Sequence, residues 1–112
     1  MGYYVKKDDN YILIDARSII TVEAMGKELV ICLEDEKITI KKSLASFIEA
    51  DMDNMLQVNR STILNINRII KITLCSYPIV ELDCGNSVVS VKVTRNYKKQ
   101  FMEMLKTNNT II

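Results

Sequence analysis

The sequence predicts a mainly β domain of antiparallel strands, with one short helix and a C-terminal helix. Three observations carry this expectation. Apolar residues recur at every second position through most of the chain, as in KITIKK at 37–42, which is the period of a half-buried strand. Glycine-containing pairs, Gly26-Lys27 and Gly85-Asn86, separate neighbouring runs at hairpin spacing. Helical spacing is confined to residues 44–50 and to the stretch after Thr94. Many short strands with so few helices make a mainly antiparallel β fold.

Taken in order, YILI at 11–14 and IITVEA at 19–24 read as strands flanking the polar turn Asp15–Ser18. Gly26-Lys27 then closes a hairpin with ELVICLE at 28–34, whose apolar core LVICL predicts a strand covered on both faces. KITIKK follows. Ser43 is placed as the N-cap of a short helix over 44–50, with Leu44, Phe47 and Ile48 on one face. Leu56–Asn59 resumes a strand, and Ser61 is expected to cap a turn over Thr62–Leu64. Asn65, tolerant of left-handed backbone, is expected to end a short helical turn. Three strands follow, RIIKITL at 68–74, IVELDC at 79–84 and SVVSVKV at 87–93. In the last, Val89, Val91 and Val93 share one face. Thr94 is placed as the N-cap of the last helix, with Tyr97, Phe101, Met104 and Leu105 on its apolar side.

Composition narrows the function. The chain has 112 residues, 48% hydrophobic and 26% charged, enough for one domain that folds without staples. No apolar run approaches the length of a membrane span. The start, MGYYVKK, lacks the apolar core of a secretory signal, and Lys6 stands where a myristoylation motif needs Ser or Thr. Cys32, Cys75 and Cys84 lie in apolar runs without metal-ligand spacing, which predicts reduced, buried thiols in the cytoplasm. Histidine is absent, removing the usual general base and the commonest metal ligand. Asp51 and Asp53 begin like a calcium loop, but Met55 and Gln57 break the ligand pattern. The expectation is no enzyme, no cofactor and no metal.

The net charge of +1 hides an asymmetry: residues 1–56 hold seven Lys/Arg against eleven Asp/Glu, and residues 57–112 hold eight against three. The basic half favours an anionic partner. Two stretches there are placed against their local physics. In VNRSTILN, 58–65, Arg60 stands at the rim of an apolar neighbourhood, a planar fork of donors suited to phosphate or a guanine edge. A structural pairing of Arg60 with a carboxylate such as Glu23 is the plainer alternative. In TRNYKKQF, 94–101, Arg95, Asn96, Lys98 and Lys99 occupy a helix start, where acidic residues are normally favoured. An external phosphate would resolve that misfit; loosely placed surface charge would also account for it.

Together these residues resemble the LytTR family of bacterial DNA-binding domains, output modules of many LytR/AlgR-type response regulators. NRSTILNINRII at 59–70 matches the family's arginine-serine pair, two apolar residues, asparagine and apolar continuation. DCGNSVVSVKVTRNYKKQF at 83–101 matches its Gly-containing hairpin followed by a Ser/Thr-Arg pair opening the last helix. VEAMGKELVICL at 22–33 matches an upstream segment before a turn. The family commonly has histidine where this chain has Asn59.

The resemblance covers roughly residues 10–106, leaving 1–9 as an N-terminal extension and 107–112 as a C-terminal tail. It implies an elongated arrangement of small antiparallel sheets that grips double-stranded DNA through loops entering successive major grooves. It also implies copies side by side on repeated half-sites, with the DNA bent. By position, Arg60 and Arg95 are base-reading candidates and Lys27 a third. Asn59, Asn96, Lys98 and Lys99 are phosphate-contact candidates.

The expected function is therefore sequence-specific DNA binding in transcription regulation, in the cytoplasm, without membrane insertion. The rival is a β domain for protein-protein interaction or self-association through exposed edge strands. A small-molecule sensor would need a sizeable apolar pocket. A regulating receiver domain would require more sequence upstream; otherwise control by an inhibitory partner is expected.

Overall fold

The computed structural model describes residues 2–50, 54–108 and 111. Ten strands and two α-helices follow one another: β1 (Gly2–Lys7), β2 (Asn10–Asp15), β3 (Thr21–Met25), β4 (Glu28–Cys32), β5 (Lys37–Ile40), α1 (Leu44–Glu49), β6 (Met55–Asn59), β7 (Thr62–Asn65), β8 (Ile69–Thr73), β9 (Ile79–Asp83), β10 (Val88–Lys92) and α2 (Arg95–Asn108). They form three antiparallel sheets: the hairpin β1-β2, a five-stranded sheet ordered β5-β4-β3-β7-β6, and a three-stranded sheet ordered β10-β9-β8. The molecule is elongated, 47 × 27 × 23 Å.

The five-stranded sheet divides two cores. On one face Val22, Leu29, Ile31 and Ile63 pack with Val5 and Ile14 of the first hairpin and with Phe47 of α1. On the other, Ile20, Val58 and Leu64 pack with Val80, Leu82 and Val91 of the small sheet and Phe101 of α2. The alternation is legible residue by residue: Ile19 belongs to the first core and Ile20 to the second, Ile63 to the first and Leu64 to the second. A strand's side chains point alternately to opposite faces, so the chain between two cores must be apolar at consecutive positions. In β4, Leu29 and Ile31 are fully buried while Val30 and Cys32 are half-buried, so its second face is only partly covered.

Local chemistry sets the turns. Gly26, at φ +65°, is the first residue of the two-residue β3–β4 turn, where Met25 pairs with Glu28. That is the glycine position of a type II′ hairpin turn, whose twist matches the strands. Ser43 caps α1, its Oγ accepting from the Ser46 amide at 3.1 Å. Phe47 of α1 is buried, but Ile48 is 47% exposed, outside the face the spacing gave it.

Five further expectations are corrected. Residues 62–65 form strand β7, not a capped turn, because their backbone pairs with both β3 and β6 and all four side chains are buried on the two faces of the sheet. Asn65 begins a 3-10 turn at 66–68 instead of ending one; its backbone is extended at φ −89° and its side chain accepts from the Asn67 amide. Cys75 is exposed, and Cys32 and Cys84 are half-buried; all three are free thiols. The helix α2 runs through Thr107 to Asn108. Residues 2–7, read only as an extension, form β1, anchored by the buried Val5. Asp51 and Asp53, the start of the dismissed calcium pattern, lie outside the described residues.

Candidate nucleic-acid interface

Strand direction brings the basic candidates together. β3 and β6 are both antiparallel to β7, so they run the same way and their C-terminal turns emerge at the same end of the sheet. Lys27 is exposed at the tip of β3–β4 and Arg60 at the tip of β6–β7. The amide of Ala24 donates to the carbonyl of Ser61 at 2.8 Å, which ties the two tips side by side. Two strand spacings separate them, about 10 Å.

Arg95 joins the same end through a bulge. Gln57 pairs with Ile63 and Asn59 with Thr62, so Val58 is an extra residue in β6. A bulge leaves its extra residue out of the ladder. The carbonyl of Val58, turned away from β7, accepts from the Thr94 amide at 3.0 Å. That bond fixes the entry of α2 against the end of β6, with Arg60 two residues past one partner and Arg95 one residue past the other.

The side chains around this junction are ordered by hydrogen bonds. Asn59 Nδ2 donates to the Lys92 carbonyl at 3.0 Å, while its Oδ1 accepts from the Ser61 amide at 3.1 Å and the Ser61 hydroxyl at 3.3 Å. Asn59, not Ser61, therefore caps the turn, in an Asx-type arrangement. Gln57 Nε2 donates to the Asn59 carbonyl at 3.1 Å and to the Tyr97 hydroxyl at 3.3 Å, and lies 3.5 Å from the Arg60 carbonyl. Gln57 was not singled out in the sequence. Its mark there is a polar residue set between the apolar Leu56 and Val58 of β6.

Arg60, Lys27 and Arg95 are exposed, and none makes an ion pair among the described residues. Glu23, the alternative partner of Arg60, lies in β3 opposite Thr62. Asn96 and Lys99 are exposed on the first turns of α2, and Lys98 leans across to the small sheet, its Nζ 3.4 Å from the Ser76 carbonyl. The first turn of α2 carries no acidic residue. Its unpaired amides and its cations thus face the same solvent.

The opposite end of the sheet is locked. Asn65, 2% exposed, donates from Nδ2 to the Ile19 carbonyl at 2.9 Å and the Ala16 carbonyl at 3.4 Å. Arg68 reaches the Arg17 carbonyl at 3.1 Å and pairs with Glu34. Arg17 in turn holds Asp15, Nη2 to Oδ2 at 2.8 Å, and its hydrogen bonds lower the Asp15 carboxyl from 3.8 to about 2. Asp15 with Arg17 and Glu34 with Arg68 are paired at this end, whereas Lys27, Arg60 and Arg95 at the other make no ion pair among the described residues.

A β scaffold that presents guanidinium and ammonium groups with an acid-free helix start along one edge is suited to an extended anion. The comparisons with known proteins give the class its name. The family model described as the LytTr DNA-binding domain matches residues 9–106, and the chain belongs to that family of DNA-binding domains. Among solved structures it is similar to one described as the LytTr DNA-binding domain of a putative methyl-accepting/DNA response regulator from Bacillus cereus, at 26% identity and a TM-score of 0.77. The match covers 93% of this chain and 95% of that one. A search of curated proteins gave no match. Among the described residues, no helix is long and apolar enough to cross a membrane.

Proposed function

We propose that this domain reads double-stranded DNA sequence-specifically in transcription regulation, in the cytoplasm, by placing its basic edge along the duplex. The observation that carries the reading is the gathering of Lys27, Arg60 and Arg95 at one end of the five-stranded sheet, without an ion pair among the described residues and tied together through Ala24–Ser61 and Val58–Thr94. Arg60 and Arg95 read base edges, Lys27 supplies the third contact, and the loops of the basic edge enter successive major grooves. Asn96, Lys98 and Lys99 hold phosphates. Asn59 has both ends of its amide engaged within the protein, which favours positioning Arg60, with one N–H left for a phosphate.

The five-stranded sheet is about 19 Å wide from β5 to β6, and the Lys27 and Arg60 tips lie about 10 Å apart within it. Both are shorter than the ~34 Å between successive major grooves on one face of the duplex. A single copy therefore engages both grooves by bending DNA toward itself, and a longer operator calls for paired copies on repeated half-sites. The DNA-binding domain that goes with this reading spans 10–106, with β1 packed against it and a short C-terminal flank, and its regulation falls to a receiver domain or an inhibitory partner.

Selection from random duplexes at physiological salt tests the proposal. The expected product is a repeated motif spaced near one helical turn. Recovery of no motif above background would remove sequence-specific reading by the isolated domain.

A second reading has its own observation. Tyr4, Tyr11 and Leu13 are 71%, 69% and 60% exposed on one face of the β1–β2 hairpin, an apolar surface of the kind used in protein association. Concentration-dependent assembly in the absence of DNA, indifferent to Arg60 and Arg95, would favour it.

A further inference from the structure

A second group of cations lies at the same end of the five-stranded sheet, beyond Lys27. β5 is antiparallel to β4 and so runs parallel to β3. Its exit, Lys41 and Lys42, therefore emerges at the end that carries Lys27, Arg60 and Arg95. The tip of the β1–β2 hairpin arrives at the same place. Lys6, Lys7, Lys41 and Lys42 line one cleft of about 410 Å³, together with Asp8, Glu28, Thr39 and Ile40. All four lysines are exposed, and among the described residues none of them makes an ion pair. Asp8 and Glu28 offset part of the charge, leaving four cations against two anions in the cleft.

This placement is not accounted for by folding. Like charges drawn from two elements into one cleft repel in the free protein. The cost is small at exposed sites, yet the neighbouring Tyr4 and Tyr11 show that the hairpin has no shortage of uncharged exposed positions. Compact ammonium groups on flexible stems suit phosphate as point charges and carry little base information. Lys41 and Lys42 stand one and a half strand spacings past the Lys27 tip, about 7 Å. That step continues the line set by Arg60 and Lys27 and passes outside the base-reading part of the edge.

We propose that Lys6, Lys7, Lys41 and Lys42 form a separate clamp for the DNA sugar-phosphate backbone, flanking the Lys27 side of the base-reading edge. The inference rests on the DNA-binding reading above. The clamp extends the footprint outward along the duplex, adds affinity without sequence preference, and draws the flanking DNA toward the short edge of the sheet. It uses the acidic half of the chain: residues 1–56 carry the excess of carboxylates, yet four of their seven cations meet in this one cleft.

The test uses the duplex recovered by selection, in a long form with flanking DNA on both sides and a short form cut at the edge of the base-read site. The variants are Lys41→Gln/Lys42→Gln and Lys6→Gln/Lys7→Gln, with Lys37→Gln, at the opposite end of β5, as control. Each double variant is expected to bind the long duplex roughly tenfold more weakly at low salt and to flatten the log affinity against log salt slope by about 1 to 2. The ranking of DNA sequences stays the same, the Lys37 variant binds like wild type, and all proteins bind the short duplex alike. Because the lysines are exposed, thermal unfolding of the variants should match wild type.

Equal affinity and equal slope on the long duplex would overturn the clamp. So would a changed sequence ranking, which would make these lysines base readers, or an equal loss on the short duplex, which would deny them a flanking position. Failure of the wild type to bind any duplex would show in the wild-type arm alone, and would remove the DNA-binding reading together with the clamp.

Discussion

The backbone of Val58 is bonded to that of Thr94, carbonyl to amide, at 3.0 Å. It is the one backbone hydrogen bond that joins the end of β6 to the start of α2 in the described residues. Its acceptor exists because β6 bulges at Val58, while the Val58 side chain stays fully buried against the second core. One extra residue in a strand thus sets the relation between Arg60 and Arg95, which belong to different sheets' ends and different motifs. The relation is made by main chain and backed by a packed core, as the proposed reading of bases requires.

Asn59 stabilises the same junction from its side chain. Replacing it with alanine removes the bond to the Lys92 carbonyl and the cap on the Ser61 amide. The expected loss is about 1–2 kcal/mol of stability, with weaker binding to every duplex, measured by urea unfolding and titration. Unchanged stability with lost affinity would mean that Asn59 acts on DNA directly.

Lys98 lies on the phosphate side of the account. Lys98→Ala should weaken binding to all duplexes alike and flatten the salt slope by about 0.9, leaving the order of preferred sequences as in wild type. Its bond to Ser76 is long and exposed, so thermal stability should hardly move. Titration over a series of salt concentrations reads both.

Asn65 is expected to be the costliest polar position in the fold. It is buried and bonded on both sides of its amide. Asn65→Ala should destabilise by about 2–4 kcal/mol, since the Ile19 carbonyl loses its partner inside the protein. The effect on sequence preference should be absent, because Asn65 lies at the end of the sheet away from the basic edge.

Asp15 provides a pH dependence with a definite sign. Hydrogen bonds from Arg17 depress its carboxyl to about 2 from 3.8. A depressed carboxyl adds stability that is full above 3.8 and is lost as pH falls through about 2. Arg17→Gln should return Asp15 to the ordinary carboxylate range. The stability gap between variant and wild type should then be constant at neutral pH and vanish at the acid limit. Because the pair is exposed, the gap is small; NMR titration of the Asp15 carboxyl is the sensitive measurement.

Much of this architecture is written in local patterns. The Gly26-Lys27 turn, the Ser43 cap and the alternation of VVSVKV each follow from one residue's conformational preference or from strand period. What escaped was set by distant contacts. Residues 62–64 look like a turn capped by Ser61, because a serine hydroxyl offers a local hydrogen bond; pairing with β3 and β6 and burial on both faces make 62–65 a strand. β1 is marked by a single buried residue, Val5. Arg60 and Arg95 were visible as misplaced cations, but the bulge that joins them leaves no trace in the sequence. Lys41 and Lys42 gave no sign at all, since their neighbours Lys6 and Lys7 come from another element.

Arg60 is proposed to read a base from the tip of β6–β7. The most direct measurement repeats the selection from random duplexes with Arg60→Ala beside wild type. Loss of preference at one base pair of each half-site is expected, with a cost of about 1–3 kcal/mol on the preferred duplex and no change in stability. An unchanged ranking of DNA sequences by the variant would contradict the account and leave Arg60 a surface cation without a reading role.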